Sequence, residues 1–161
     1  MLNSASGTVT PINTATNKAG RAITTGLGPS AIAITPDGET AYVLNESGTV
    51  TPIDVATDTV LTAIKVPHGP GAIAITPDGK TAYVLCSPAS TVIPIRTATN
   101  TALKPIKVGS ASATIVITPD GKTVFVASQG PGTVTPIRTA TNRALKPIKV
   151  GASPIGMAIT P

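Results

Sequence analysis

Small and large apolar residues alternate along short stretches of this chain, and each stretch ends in turn-forming residues. In AIAITPDG (31–38), Ala31 and Ala33 fall on one face of an extended strand and Ile32 and Ile34 on the other. Thr35-Pro36-Asp37-Gly38 then predicts a tight hairpin. Pro36 presets φ, Asp37 can bond locally, and Gly38 supplies a positive φ. ETAYVLN, GTVTPID and TVLTAIKV follow, each long enough for one strand. Asn17, Asp58, Asn100 and Asn142 stand between the third and fourth strands, where left-handed backbone is tolerated. No segment shows a 3.6-residue period, which argues against a helical solenoid.

The same four pieces recur in the same order, and the Thr of each Ile-Thr-Pro falls at 35, 76, 118 and 160. Segments 94–109 and 136–151 differ only at Thr101 against Arg143, the mark of recent duplication. Four antiparallel strands per repeat of about 40 residues predict a β-propeller. The expected fold is all-β, one domain over 1–161, with about four four-stranded antiparallel blades. Repeats start near 30, 71, 112 and 154, and residues 1–26 complete a blade split between the termini. The fourth strand should lie at the outer rim, where Lys104, Pro105 and Lys107 and their copies Lys146, Pro147 and Lys149 would guard an exposed edge. Pro11, Pro52, Pro94 and Pro136 fall in the third strand, which needs its N–H groups. They are expected at a bulge or where pairing with the rim strand has not begun.

The stretches ITPDGETAYVLN (34–45), ITPDGKTAYVLC (75–86) and ITPDGKTVFVAS (117–128), with each GTV segment and its downstream ATN or ATD, resemble the YVTN family of β-propeller repeats found in surface-layer-like proteins. The resemblance covers essentially the whole chain and implies the propeller fold and an extracytoplasmic or cell-surface location. It departs from the family in reading YVLN, YVLC and FVAS, and in placing Pro in the third strand. Relatives of this kind typically have seven blades, so the chain is expected to be part of a larger seven- or eight-bladed ring.

Composition fits many short strands: Trp is absent, Tyr42, Tyr83 and Phe125 are the only aromatics, and Gly and Pro are frequent. The formal charge of +5 suggests affinity for polyanions. Cys86 stands alone, so no intrachain disulfide forms. No apolar run is long enough to cross a bilayer, and MLNSASGTVT does not read as a signal peptide.

Candidate chemistry is sparse. Asp37, Asp78, Asp120 and Asp58 are committed to turns, and no carboxylate pair is spaced for acid–base work. His68 is the single histidine, and its loop should open on the same face as Glu46. An acid–base or ligand pair is one reading; solvated loop residues are preferred, because one imidazole cannot supply a three-ligand zinc site. Ser87 and Gln129 lie in the loops that vary most between repeats and are further candidate contacts on that face. Arg96, Lys104 and Lys107 recur as Arg138, Lys146 and Lys149 and could hold an anionic polysaccharide. A nucleic acid is disfavoured because no aromatics stand among them to stack bases. No catalytic, cofactor or metal residue is assigned, and no cofactor is expected.

The expected function is therefore a non-catalytic binding or scaffold propeller that contacts a protein or anionic glycan through its loops. A propeller enzyme of the lactonase or lyase type is the alternative. Aligning Leu2-Asn3 with Leu44-Asn45 starts the chain inside a second strand, and it stops just before a further Asp-Gly turn. An open half-ring, or two chains completing a ring of about eight blades, is expected over a closed four-bladed ring.

Overall fold

The computed structural model describes residues 1–160. Its three complete sheets are antiparallel meanders in chain order. The first blade consists of Pro29–Ile34, Thr40–Asn45 and Thr49–Asp54, with a rim strand in two pieces, Thr59–Val60 and Ile64–Lys65. Pro70–Ile75, Thr81–Cys86, Thr91–Arg96, Thr101–Ala102 and Ile106–Lys107 form the second. Ser112–Ile117, Thr123–Ser128, Thr133–Arg138, Arg143–Ala144 and Ile148–Lys149 form the third. The N-terminal residues make a three-stranded sheet of Leu2–Asn3, Thr8–Val9 and Ile23–Thr24, with a short ladder of Ile12–Asn13 and Lys18–Ala19. The all-β propeller fold read from the repeat is the fold observed.

The hairpin turn works as its residues suggest. Asp37 Oδ1 accepts from the Thr35 hydroxyl at 2.5 Å and from Glu39 N–H at 3.0 Å, while Gly38 takes φ +78°. Thr35 Oγ1 also accepts Thr40 N–H at 3.0 Å, and the same bonds recur at Thr76 and Thr118. Asn17, Asp58, Asn100 and Asn142 all adopt positive φ, between 51° and 55°.

The third-strand prolines explain the broken rim. A strand residue points its N and its C=O to the same neighbouring strand. Pro52 O accepts from Leu61 N and Pro94 O from Leu103 N, so both proline nitrogens face the rim. They have no hydrogen to donate there, and the fourth strand detaches for a few residues before pairing again near Thr49 and Thr91. The first blade has Ala63 where the others have Pro105 and Pro147, yet its rim splits in the same way. The cause is therefore the third-strand proline. Pairing is interrupted there, whereas the sequence left open whether it had begun.

The cores lie between blades. Tyr42, Leu44, Val50 and Ile64 of the first blade pack against Ala82, Val84, Cys86, Ile93 and Ile95 of the second, with Ile73 and Ile75 at the margin. Tyr83, Leu85, Val92 and Ile106 meet Ile115, Val124, Val126 and Ile137 in the same way. Alternation thus sends the large residues of the second strand towards the following blade and the small ones towards the preceding blade. Each of these two interfaces also carries a clasp between a buried Tyr and a half-buried Asn: Tyr42 Oη donates to Asn100 Oδ1, and Tyr83 Oη to Asn142 Oδ1, both at 2.6 Å.

Candidate functional site

Backbone bonds sort the loops onto two ends of the blades. At one end the turn between second and third strands is tied to the loops that link neighbouring blades. Glu46 N–H donates to Gly28 O at 2.9 Å, and Gly69 N–H donates to Glu46 O at 3.1 Å. Gly48 lies so close to His68 that a Cβ there would stand 3.4 Å from its backbone nitrogen. Gly69 in turn lies against Pro88, whose Cγ would be 2.9 Å from an added Cβ. The structure thus brings the Glu46 turn, the His68 loop and the Ser87-Pro88 turn together on one end. Glu46 and His68 are both solvent-exposed, and Ser87 is half-buried. The Glu46 carboxylate lies over Gly28. Among the described residues no ion pair joins it to His68. Gln129 is at the same end one blade further on, where its N–H donates to Ala111 O at 3.0 Å.

The acids at the opposite end are turned into their own hairpins. The Thr hydroxyls and then the backbone N–H groups of the turn hold Asp37, Asp78 and Asp120 below the usual carboxylate range. Asp54 is lowered in the same way by the Thr57 hydroxyl and N–H. This role is hard to see in the repeat, because Arg96 and Arg138 occupy the equivalent positions. Lys80 and Lys122 pair with Asp78 and Asp120 at 3.8 and 3.4 Å on the exposed surface.

The basic residues lie on the rims and at one end of the third strands. Lys104 and Lys107 line a groove of about 570 Å³ between the second and third rims, with Asn142 and Arg143 on its other wall. Lys146 and Lys149 are exposed on the third rim. Arg96 and Arg138 sit at the other end of the third strands, paired with Thr81 and Thr123. Cys86 is fully buried, and burial pushes its thiol up to about 11, so it is no nucleophile at neutral pH. The Tyr–Asn clasps were missed in the sequence: their partners stand 58 and 59 residues apart, beyond any local pattern.

A family model described as "Lactonase, 7-bladed beta-propeller" matches residues 12–153. The chain belongs to this lactonase family. Membership corrects the expectation of a non-catalytic binding or scaffold module and points instead to an enzymatic propeller. The resemblance to propeller repeats is upheld at the level of the fold.

Among solved structures, hydrazine synthase of Kuenenia stuttgartiensis is 33% identical with a TM-score of 0.73, matching 78% of this chain and 36% of that one. A functionally unknown protein from Desulfotomaculum acetoxidans, 20% identical, superimposes with a TM-score of 0.80 over 92% of this chain and 51% of its own. A proposed 6-phosphogluconolactonase from Bacteroides fragilis is 24% identical, TM-score 0.72, over 89% and 49% of the two chains. The last two show the fold alone. The lactonase-family chain spans a third to a half of the length of these relatives. No curated protein matches it.

Proposed function

We propose that this chain forms part of a lactonase-type propeller and that the end carrying Glu46, His68 and Ser87 faces the substrate, a sugar lactone. The family match over residues 12–153 carries the reading. Hydrolysing a lactone requires water to attack the ester carbonyl and the ring oxygen to leave with a proton. A histidine is suited to both transfers, because its usual pKa lies close to neutrality. In this reading the His68 imidazole takes the proton from the attacking water and returns it to the ring oxygen. The Glu46 carboxylate, on a turn whose backbone carbonyl accepts Gly69 N–H, contributes a polar group to the same end of the blades. Ser87 offers a hydroxyl to the substrate from the adjoining blade. Prolines on either side of the His68-Gly69 pair, Pro67 and Pro70, restrict the backbone that presents the imidazole. The excess of basic groups draws an anionic sugar lactone towards the protein. The exposure of His68 and Glu46 calls for a further wall to the site, contributed by further blades of the ring.

The test is the hydrolysis of glucono-δ-lactone and its 6-phosphate, followed by acid release against the spontaneous rate. The protein should accelerate at least one of them, and His68→Ala should lower kcat by about 10²-fold or more. Hydrolysis at the spontaneous rate would refute the activity. Full activity in His68→Ala would refute the role given to His68.

A further inference from the structure

We propose that the groove between the second and third rims binds a linear acidic polysaccharide, a chain of uronate sugars. The inference rests on the rims alone and does not depend on the lactone reading.

Charge is divided unevenly along the chain. Residues 81–161 hold eight of the twelve Lys and Arg but one of the seven Asp and Glu, a net +7, whereas residues 1–80 carry −2. That one acid, Asp120, is paired with Lys122 at 3.4 Å in its own hairpin. Lys104, Lys107 and Arg143 line the groove, and among the described residues no carboxylate pairs with them. The first and second rims enclose a cleft of similar size, about 530 Å³. There the repeat equivalents of Lys104 and Arg143 are Thr62 and Thr101. Segments 94–109 and 136–151 are otherwise identical, so the one residue that separates the two copies is the one that adds a cation to this groove.

The groove continues along the rims. A second cavity of about 410 Å³ shares Lys107 and Ala144 with the first and reaches Gly109 and Pro131. It is also lined by Thr135, which is 2% exposed and whose hydroxyl has no hydrogen-bond partner. Buried hydroxyls are normally satisfied, because stranding one costs stability. The equivalent Thr51 hydroxyl donates to Thr25 O at 2.7 Å, and in the second blade the position is Ile93, packed in the core. Between the second and third blades the same position combines an unused hydroxyl with open space beside it.

These features select the ligand. Cations without an internal partner call for repeated negative charge. The buried hydroxyl of Thr135, with Leu145 and Pro147 beside it, calls for a ligand that also carries hydroxyls and apolar C–H faces. A uronate chain supplies all of these: a carboxylate on each ring, free hydroxyls and an apolar ring face. A nucleic acid would need aromatic side chains to stack its bases, and none lines either cavity. An acidic peptide would match the charge but would leave the Thr135 pocket without a ring to fill it.

Isothermal titration calorimetry with oligogalacturonate tests this. Binding should saturate, weaken as salt is raised, and be absent for neutral dextran. Arg143→Thr, which makes the third-blade segment match the second, should weaken it about tenfold. Thr135→Val removes only the hydroxyl and should weaken it about fivefold. Thr135→Ile should fill the cavity as Ile93 does, leaving circular dichroism unchanged and abolishing binding. Lys80→Gln with Lys122→Gln removes two cations from the first hairpins of the second and third blades and should leave the affinity unchanged. Absence of saturable binding to oligogalacturonate would overturn the proposal, as would unchanged affinity in Arg143→Thr and Thr135→Ile. An equal loss in the Lys80 and Lys122 variant would also overturn it, as would tighter binding of single-stranded DNA or polyglutamate than of oligogalacturonate.

Discussion

Replacing Tyr83 by Phe removes one hydroxyl from the interface between the second and third blades and leaves the ring in place. The hydroxyl donates to Asn142 Oδ1 at 2.6 Å from a fully buried side chain. A net hydrogen bond of this kind stabilises by about 1 kcal/mol. Asn142 is half-buried, so its freed oxygen can turn to water and the larger cost of a stranded acceptor does not arise. For a chain of this size about 1 kcal/mol lowers Tm by roughly 2–4 °C. The partner substitution must be chosen with care, because Asn142 has φ 51°. Ala would add about 1–2 kcal/mol of left-handed strain, whereas Gly removes the amide without it. The double-mutant cycle of Tyr83→Phe and Asn142→Gly, read by urea unfolding, should give a coupling of about 1 kcal/mol. Tyr42→Phe should cost about the same, since its bond to Asn100 has the same length. A coupling within about 0.3 kcal/mol of zero would mean that the clasp holds nothing and that apolar packing alone joins the blades.

Burial raises Tyr42 and Tyr83 to about 12, with Asp37 and Asp78 adding repulsion. Their neutral forms therefore stabilise the fold fully below pH 10, and that contribution is lost as pH rises from 10 through 12. The urea midpoint should fall over that window and fall less in Tyr83→Phe; equal slopes would contradict this. Cys86, fully buried and raised to about 11, should stay unlabelled by a thiol reagent at pH 8 until the protein is unfolded, and prompt labelling of the native chain would show an open blade interface. Gly109→Ala puts a Cβ 2.5 Å from that of buried Ser128, whose hydroxyl is held by Ser112 at 2.9 Å. It should cost about 1–3 kcal/mol in thermal unfolding, whereas Gly151→Ala, with nothing within 4 Å, should be close to neutral in the same measurement.

Strands, turns and their order were legible in the sequence because they are local. The Thr-Pro-Asp-Gly turn closes on its own side chains, Asn at the next turn tolerates left-handed backbone, and period-two alternation assigns faces without knowing what covers them. Repetition then fixed the architecture, because a blade that cannot bury both faces alone must stack on its copies. Four features depended on the tertiary structure. The rim break follows from which way the Pro52 and Pro94 nitrogens point, and that is set by pairing register. The clasps join residues a blade and a half apart. The Glu46 turn, the His68 loop and the Ser87-Pro88 turn lie side by side because a blade-linking loop runs between two turns of different sheets. Ile106 and Ile148 are the same residue in the same local sequence, and one is buried while the other is exposed. Local text makes a face apolar; only the neighbouring sheet decides whether water is removed from it.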